Sequence, residues 1–195
     1  ERFGKPLERV RLRVKAAKGG LSGGTFASML NIVEESRRDG ETAKVLKNPY
    51  ALCPPDARKG PRQPYVSGPK FDAAIDSWMA PFIMAGINTR VVHRANALQG
   101  FIYGTDFRYD EAVLTGKGVG GRAKAVMVSL GMGAFALGAS MGPTRSMLKA
   151  MVLSKPGEGP SPEQRKAGFF RIVMEGRTAD GSTLRARVKG DRDPG

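Results

Sequence analysis

Strict alternation of apolar and basic residues marks the start of the chain. The apolar set is Val10, Leu12, Val14 and Ala16, and the basic set is Arg9, Arg11, Arg13 and Lys15. This period of two predicts a half-buried strand with one cationic face. The same period predicts strands over residues 105–115, 170–174 and 184–189. The turn Ala179–Ser182 is expected to join the last two as a hairpin.

Apolar residues at helical spacing predict the other elements. The predicted helices cover residues 26–38, 42–47, 88–98 and 116–151. Asn88 is expected to cap the third helix and Gly100 to end it. Six prolines make residues 48–70 an expected extended excursion on the surface.

These elements predict an α+β fold in a single domain over residues 1–195. The strands outnumber the crossover helices that a parallel sheet requires. We therefore expect a largely antiparallel or mixed sheet with helices packed mainly on one face. Arg and Lys are expected on the other face.

Composition narrows the chemistry. The 195 residues contain 32 Lys and Arg against 18 Asp and Glu, a formal net charge of +14. One cysteine, Cys53, excludes an internal disulfide framework and a cysteine-based metal cage. One histidine, His93, excludes a histidine-rich metal site, so no metal is expected. Because the chain opens on Glu1 and closes on the turn sequence Asp193-Pro194-Gly195, we expect it to be a fragment.

The connector before the first helix is a candidate ligand site. Gly20, Gly23 and Gly24 allow a ligand to approach the backbone closely, and Ser22 and Thr25 supply hydroxyls. Backbone N–H groups at a helix start favour an anion or an electron-rich oxygen. An ordinary helix cap with a flexible lead-in explains the same residues, and the spacing alone slightly favours it.

The helix beginning near Asn88 carries three stripes at 100° per residue. The apolar stripe is Ile87, Val91, Ala95 and Leu98, the second is Thr89, His93 and Asn96, and the third is Arg90 and Arg94. Two arginines one turn apart can hold a carboxylate or phosphate. His93 is a candidate general acid, because its unperturbed pKa is close to neutrality. Solvated arginines and a structural histidine are the alternative.

Gly116–Gly121 matches the G-x-G-x-x-G pattern of dinucleotide-binding turns between a predicted strand and a predicted helix. A dinucleotide site also needs a second strand ending in an acidic residue ~20 residues on. The next acidic residue after Glu111 is Glu158, so a plain connector is favoured over a cofactor site.

Two further features suggest partners. Residues 166–173 loosely match the aromatic strand of an RNA-recognition motif. Basic residues are nevertheless spread along the whole chain, and nucleic-acid binding is disfavoured. Residues 125–144 contain no charge, and this length approaches the ~20 residues that cross a bilayer. A protein core, a dimer interface and an apolar surface for a lipid-like substrate or a membrane are the alternatives for this segment.

Several blocks of sequence resemble one known family. They are Gly19–Thr25 with Ala27–Met29, Asn88–Val92, Arg94–Leu98, Tyr103-Gly104 with Phe107–Tyr109, Gly159–Ser161, and Gly190–Gly195. In these blocks the chain resembles the C-terminal part of the saccharopine dehydrogenase-like oxidoreductases, a group that includes mycobacterial trans-acting enoyl reductases. The blocks follow the family's order, whereas residues 48–78 and 122–152 match weakly.

The resemblance implies hydride transfer between NAD or NADP and a C=N, C=C or C=O group of a lipid-like or other small substrate. It implies that a Rossmann domain outside this chain binds the cofactor, and that this chain binds none. The implied substrate-binding residues are Ser22, Gly23, Gly24, Thr25, Asn88, Thr89, Arg90, His93, Arg94 and Asn96; no catalytic residue is fixed.

A homodimer and a cytoplasmic location with peripheral membrane contact are further expectations. The alternative function is a basic binding module for anionic lipid, a membrane surface or nucleic acid.

Overall fold

The computed structural model describes residues 4–19, 23–152 and 161–192. Its strands are β1 (Arg9–Lys18), β2 (Lys70–Asp72), β3 (Ser77–Pro81), β4 (Arg108–Gly116), β5 (Phe169–Arg177) and β6 (Thr183–Gly190). Its helices are α1 (Gly23–Arg38), α2 (Gly40–Lys47), α3 (Ala85–Leu98), α4 (Gly118–Ser140), α5 (Gly142–Val152) and α6 (Pro162–Lys166). A short 3₁₀ helix covers Pro55–Ala57.

The strands form one six-stranded sheet in the order β2-β3-β4-β1-β5-β6. β1 pairs with β4 in parallel, whereas β2 with β3 and β3 with β4 are antiparallel. The predicted α+β fold with a mixed sheet is therefore confirmed. The predicted connection of the last two strands is also present: Thr178 N–H donates to the Ser182 carbonyl at 3.0 Å, and Gly181 adopts φ +87° in the turn.

The chain divides into two compact units. Unit 1 comprises Glu1–Lys15, Asn48–Ser129 and Ile172–Val188. Unit 2 comprises Ala16–Lys47, Leu130–Arg171 and Lys189–Gly195. The division falls within β1, α4, β5 and β6.

Within unit 1, the proline-rich stretch contributes to the core, and the prediction of a surface excursion over 48–70 is wrong in this respect. Tyr50, Cys53 and Ala57 form one buried cluster, against which Ala97 of α3 packs. The Tyr50 hydroxyl donates to the Pro61 carbonyl at 2.7 Å. The prolines thus shape an extended segment whose aromatic and small side chains turn inward.

Within unit 2, α1 packs on α2 and on α5. Leu30 of α1 is completely buried. Arg145 of α5 lies 3.3 Å from the Glu34 carboxylate of α1, an ion pair that both side chains make while mostly shielded from solvent. An apolar contact and an ion pair therefore hold these helices together.

The arginines on the cationic face of β1 form ion pairs inside the protein. The sequence analysis expected Arg and Lys on the sheet face away from the helices, but this part of that face is not exposed to solvent. Arg13 is 1% exposed. Its Nε lies 3.1 Å from Asp72 Oδ2 of β2, and its Nη2 lies 2.7 Å from Asp110 Oδ2 of β4. Buried charge is tolerated when it is paired and hydrogen-bonded. The alternation rule placed the arginines on one face correctly but could not show the carboxylates that neutralise them.

The same face continues the ion pairing toward β5 and β6. Arg11 pairs with Asp72 at 3.5 Å and also with Glu175 of β5. Arg185 of β6 lies 3.1 Å from the other oxygen of Glu175. Asp72, Asp110 and Glu175 are all buried. Buried carboxylates of unit 1 therefore neutralise much of the positive charge of β1.

The glycines of the Gly116–Gly121 motif are required by the turn between β4 and α4. Gly116 and Gly118 adopt φ +106° and +60°, where a side chain is strained. A Cβ on Gly121 would overlap the carbonyl of Gly116. The absence of a side chain at Gly121 thus lets the start of α4 pack directly against the end of β4.

Neighbouring glycines in this turn offer a matched stability test. Gly121→Ala should destabilise the fold by about 1–3 kcal/mol, because the new methyl group must displace backbone. Gly120→Ala should be neutral or stabilise by up to about 1 kcal/mol, since no atom lies within 4 Å of its Cβ position and alanine favours the helix. Urea unfolding of both variants measures the difference; equal effects would contradict this geometry.

Removing Arg13 tests the buried ion pairs. Arg13→Met keeps most of the side-chain volume but removes the buried cation that Asp72 and Asp110 share. Asp72 then keeps only Arg11 at 3.5 Å, and Asp110 keeps only the more exposed Arg9 at 3.0 Å. The loss should cost about 3 kcal/mol of unfolding free energy. Lys44→Met removes an exposed pair with Glu41 and should change stability by less than about 1 kcal/mol. Similar losses in both variants would show that the buried ion pairs of Arg13 contribute no more to stability than an exposed pair does.

Candidate functional site

Helix α3 carries most of the predicted site residues, and it begins earlier than expected. Met84 is the N-cap residue, and its carbonyl accepts the Asn88 backbone N–H at 2.9 Å. The prediction that Asn88 caps the helix is therefore wrong. Since Asn88 lies within the first turn, its side chain points away from the helix end and donates from Nδ2 to Glu111 Oε2 of β4 at 2.9 Å.

Glu111 is the centre of a buried polar cluster in unit 1. The carboxylate is 3% exposed and also accepts the Tyr109 hydroxyl proton at 2.6 Å. Gln63 Oε1 accepts the Tyr109 backbone N–H at 3.0 Å. Burial and the adjacent Glu111 raise the pKa of Tyr109 far above its ordinary value. The phenol therefore stays protonated and acts as a fixed donor to Glu111.

The sequence analysis missed Glu111 as a site residue, although a signal was present. Alternate residues from just before β4 into the strand are Phe107, Tyr109, Glu111 and Val113. A single carboxylate in this alternating set must find hydrogen-bond donors if it is buried. Asn88 and Tyr109 supply them.

His93 is held among aromatic rings. Its ring centroid lies 4.7 Å from that of Tyr50 and 6.0 Å from that of Phe107. The side chain is buried, and its Nε2 has no hydrogen-bond partner among the described residues. Burial lowers the pKa of His93 to about 4. At neutral pH the ring is uncharged in this state, so the argument for a general acid from its ordinary pKa no longer applies.

Asn96 fixes the loop that follows α3. Its Nδ2 donates to the Gly104 carbonyl at 2.9 Å, and its Oδ1 accepts the Tyr103 N–H at 2.9 Å. Gly100 adopts φ +67°, as expected for the residue that ends the helix. Thr89 is half-buried on the same helix.

The two arginines of α3 contact backbone carbonyls. Arg90 Nε donates to the Asn48 carbonyl at 3.3 Å and its Nη1 to the Gly86 carbonyl. Arg94 Nη1 donates to the Leu52 carbonyl. They thus attach the start of the proline-rich stretch to α3, which differs from the solvated alternative. A clamp on a substrate carboxylate or phosphate stays a prediction.

The apolar stripe of α3 faces outward. Ile87, Val91 and Leu98 are 40%, 52% and 61% exposed, whereas His93 and Asn96 are buried. Polar side chains take the inner face because Glu111 and the following loop need their hydrogen bonds. Unit 1 therefore presents an exposed surface of aliphatic side chains, and Arg94 lies within it at helical spacing from Val91 and Leu98.

The second group of predicted residues lies at the start of α1, in unit 2. Gly23 is the first residue of α1, so Gly23, Gly24 and Thr25 form its first turn. Ser22 lies outside the described residues. Their roles in substrate binding stay predictions.

The described part of the chain contains no group of three or more His, Cys, Asp or Glu side chains arranged to hold a metal ion. The arrangement in unit 1 is instead that of a rigid polar interior beneath an apolar outer surface.

Several curated proteins that are similar to this chain are named as trans-acting enoyl reductases. A Mycobacterium tuberculosis (H37Rv) protein, provisionally named a trans-acting enoyl reductase, is 36% identical over 194 residues, covering 93% of this chain and 45% of its own length. Trans-acting enoyl reductases of Mycobacterium ulcerans and Mycobacterium bovis BCG are each 30% identical, covering 83% and 85% of this chain and 40% and 42% of their own lengths.

These similarities confirm the resemblance to the trans-acting enoyl reductases. The chain spans less than half the length of these relatives. No family model matches the chain. No solved structure matches it either. The wider saccharopine dehydrogenase-like assignment and the fragment status stay predictions.

The burial of His93 predicts a specific pH dependence of stability. Its pKa is about 4 when folded and about 6.5 when unfolded, so the unfolded state binds the extra proton between these values. The neutral, buried His93 ring contributes its full share to the free energy of unfolding above pH 6.5. As the pH falls to about 4, the free energy of unfolding decreases by roughly 3 kcal/mol in total. Urea unfolding at pH 7.5 and 5 measures the loss, which should be smaller in His93→Leu. An equal loss in the variant would contradict the assignment.

Proposed function

We propose that this chain is the substrate-binding part of an NAD(P)H-dependent oxidoreductase that reduces a C=C bond, with C=N and C=O groups as the other candidate acceptors. The observation that carries the proposal is the 36% identity over 93% of the chain to a relative named as an enoyl reductase. In this proposal the hydride comes from a nicotinamide that another part of the complete protein binds.

The outer surface of α3 is the proposed contact for the substrate. Val91 and Leu98 expose aliphatic side chains that suit an acyl or other lipid-like chain. Arg94 lies among them and keeps guanidinium N–H groups beyond the one that binds the Leu52 carbonyl. In this arrangement Arg94 binds an acidic group of the substrate while the aliphatic residues bind its chain.

The polar interior beneath this surface has a positioning role. Asn88 and Tyr109 hold Glu111, and Asn96 holds the loop after the helix. These bonds fix the rotation of α3 about its axis. The binding surface is therefore pre-formed, which reduces the entropy lost when substrate binds.

The alternative of a nucleic-acid module receives less support. The arginines of β1 are engaged by Asp72, Asp110 and Glu175. Phe169, the ring expected to stack on a base, has the Arg171 guanidinium 5.6 Å from its centroid. A charge of +14 thus overstates the cationic surface available to phosphates.

The test is an assay of the protein encoded by the native gene, with NADPH and a 2-enoyl thioester, monitored at 340 nm. We expect NADPH oxidation, and Arg94→Ala should raise KM about 10-fold with kcat nearly unchanged, since a lost substrate contact removes uniform binding. Arg62→Ala, an exposed arginine outside α3, makes the same charge change and should leave KM unchanged. Absence of any NADPH oxidation contradicts the reaction, whereas equal KM values for both variants contradict the role of Arg94.

A further inference from the structure

Helix α4 exposes four of its large apolar side chains along one face. Val119, Met127, Leu130 and Leu137 are 85%, 72%, 67% and 65% exposed. They recur at helical spacing, and the exposed Ala123 and Ala134 fill the intervening positions. These four large side chains define the outer face of α4. The helix could cross a membrane by length and composition.

The opposite side of α4 packs against the rest of the protein. Gly121, Ala125 and Ala139 are buried, and the Gly121 carbonyl accepts the Thr115 hydroxyl proton at 2.9 Å. The completely or nearly buried residues on this side are small, and the partly buried Met132 and Phe135 lie beside them. A helix bound to protein along one side and apolar along the other suits lying in a membrane interface better than crossing the bilayer.

The segment of sequence that contains α4 carries charges of one sign. Between Glu111 and Glu158 the sequence contains six basic residues and no acidic residue. At 100° per residue, Arg122 and Lys124 fall on opposite sides of the outer face, about 80° and about 120° from Leu130. Lys117 forms an ion pair with Asp76, and Arg145 forms one with Glu34. Arg122 and Lys124 are exposed. The Arg122 guanidinium also lies over the Trp78 ring. Cations beside an apolar face complement anionic lipid headgroups.

The polar groups of the helix are internally satisfied. Ser129 donates to the Ala125 carbonyl and Ser140 to the Ala136 carbonyl, both at 2.7 Å. These bonds leave no hydroxyl proton that requires water. The helix can therefore exchange water for hydrocarbon along its outer face without leaving a donor unpaired.

We propose that the outer face of α4 binds the surface of an anionic bilayer. The aliphatic side chains enter the boundary between headgroups and acyl chains, and Arg122 and Lys124 reach the phosphates beside them. A second copy of the chain is a less favourable occupant, because pairing two such helices brings segments of the same charge together.

The experiment is co-sedimentation of the full 195-residue chain with vesicles of phosphatidylcholine alone or with one quarter phosphatidylglycerol. The wild type should bind the anionic vesicles at least 10-fold more tightly, and added salt should weaken binding. Leu130→Glu/Leu137→Glu should reduce binding at least 10-fold. Val45→Glu/Ile102→Glu, with the same charge change at aliphatic residues that are 54% and 56% exposed, should bind like the wild type.

A second variant separates insertion from simple charge attraction. Leu130→Lys/Leu137→Lys adds positive charge, so attraction alone predicts tighter binding, whereas insertion predicts weaker binding. Circular dichroism checks that each variant folds. Absence of wild-type binding, tighter binding by the lysine variant, or equal loss in the control variant would overturn the proposal. So would a dimer that only the α4 variants dissociate, without any vesicle binding. None of these readouts depends on catalysis.

Discussion

The buried charge of Arg13 is the constraint on which unit 1 depends. Its guanidinium reaches Asp72 of β2 and Asp110 of β4, strands separated in the sheet by β3. A buried arginine without these carboxylates would be far more costly than an exposed one. The pairing therefore specifies which face of β1 turns toward those carboxylates, and with it the register that places Arg11 opposite Asp110. Val10, Leu12 and Val14 then take the other face.

A second buried charge determines how α3 packs. Glu111 lies on the β4 face that also carries Phe107 and Tyr109, and it takes one hydrogen bond from Asn88 and one from Tyr109. Because those partners must point inward, the aliphatic residues of α3 point outward. Buried polar groups thus produce the exposed apolar surface that we propose for substrate. On α4 the cause is different, since its buried residues, Gly121, Ala125 and Ala139, are all small.

The local spacing of apolar residues predicted the strands and helices well, but it predicted poorly which of their side chains are buried and what those side chains contact. Alternation located β1, β4 and the final pair of strands, and turn residues located the connection at Gly181. The assignment of Asn88 as a cap failed because a side chain that can cap a helix can equally donate to a distant carboxylate. The outward apolar stripe of α3 and the burial of Arg13 could not be predicted, since both depend on acidic residues far away in the sequence.

The sequence by itself determined the class of fold, the periodicity of each strand and helix, and the likeness to enoyl reductases. These follow from local spacing and from residue identity, which need no knowledge of neighbours in space. Only the tertiary structure decided which charges are buried, that burial lowers the pKa of His93, and which faces of α3 and α4 remain exposed. The physical reason is that burial and pairing are set by contacts between distant segments, and the same side chain is solvated, paired or shielded according to those contacts.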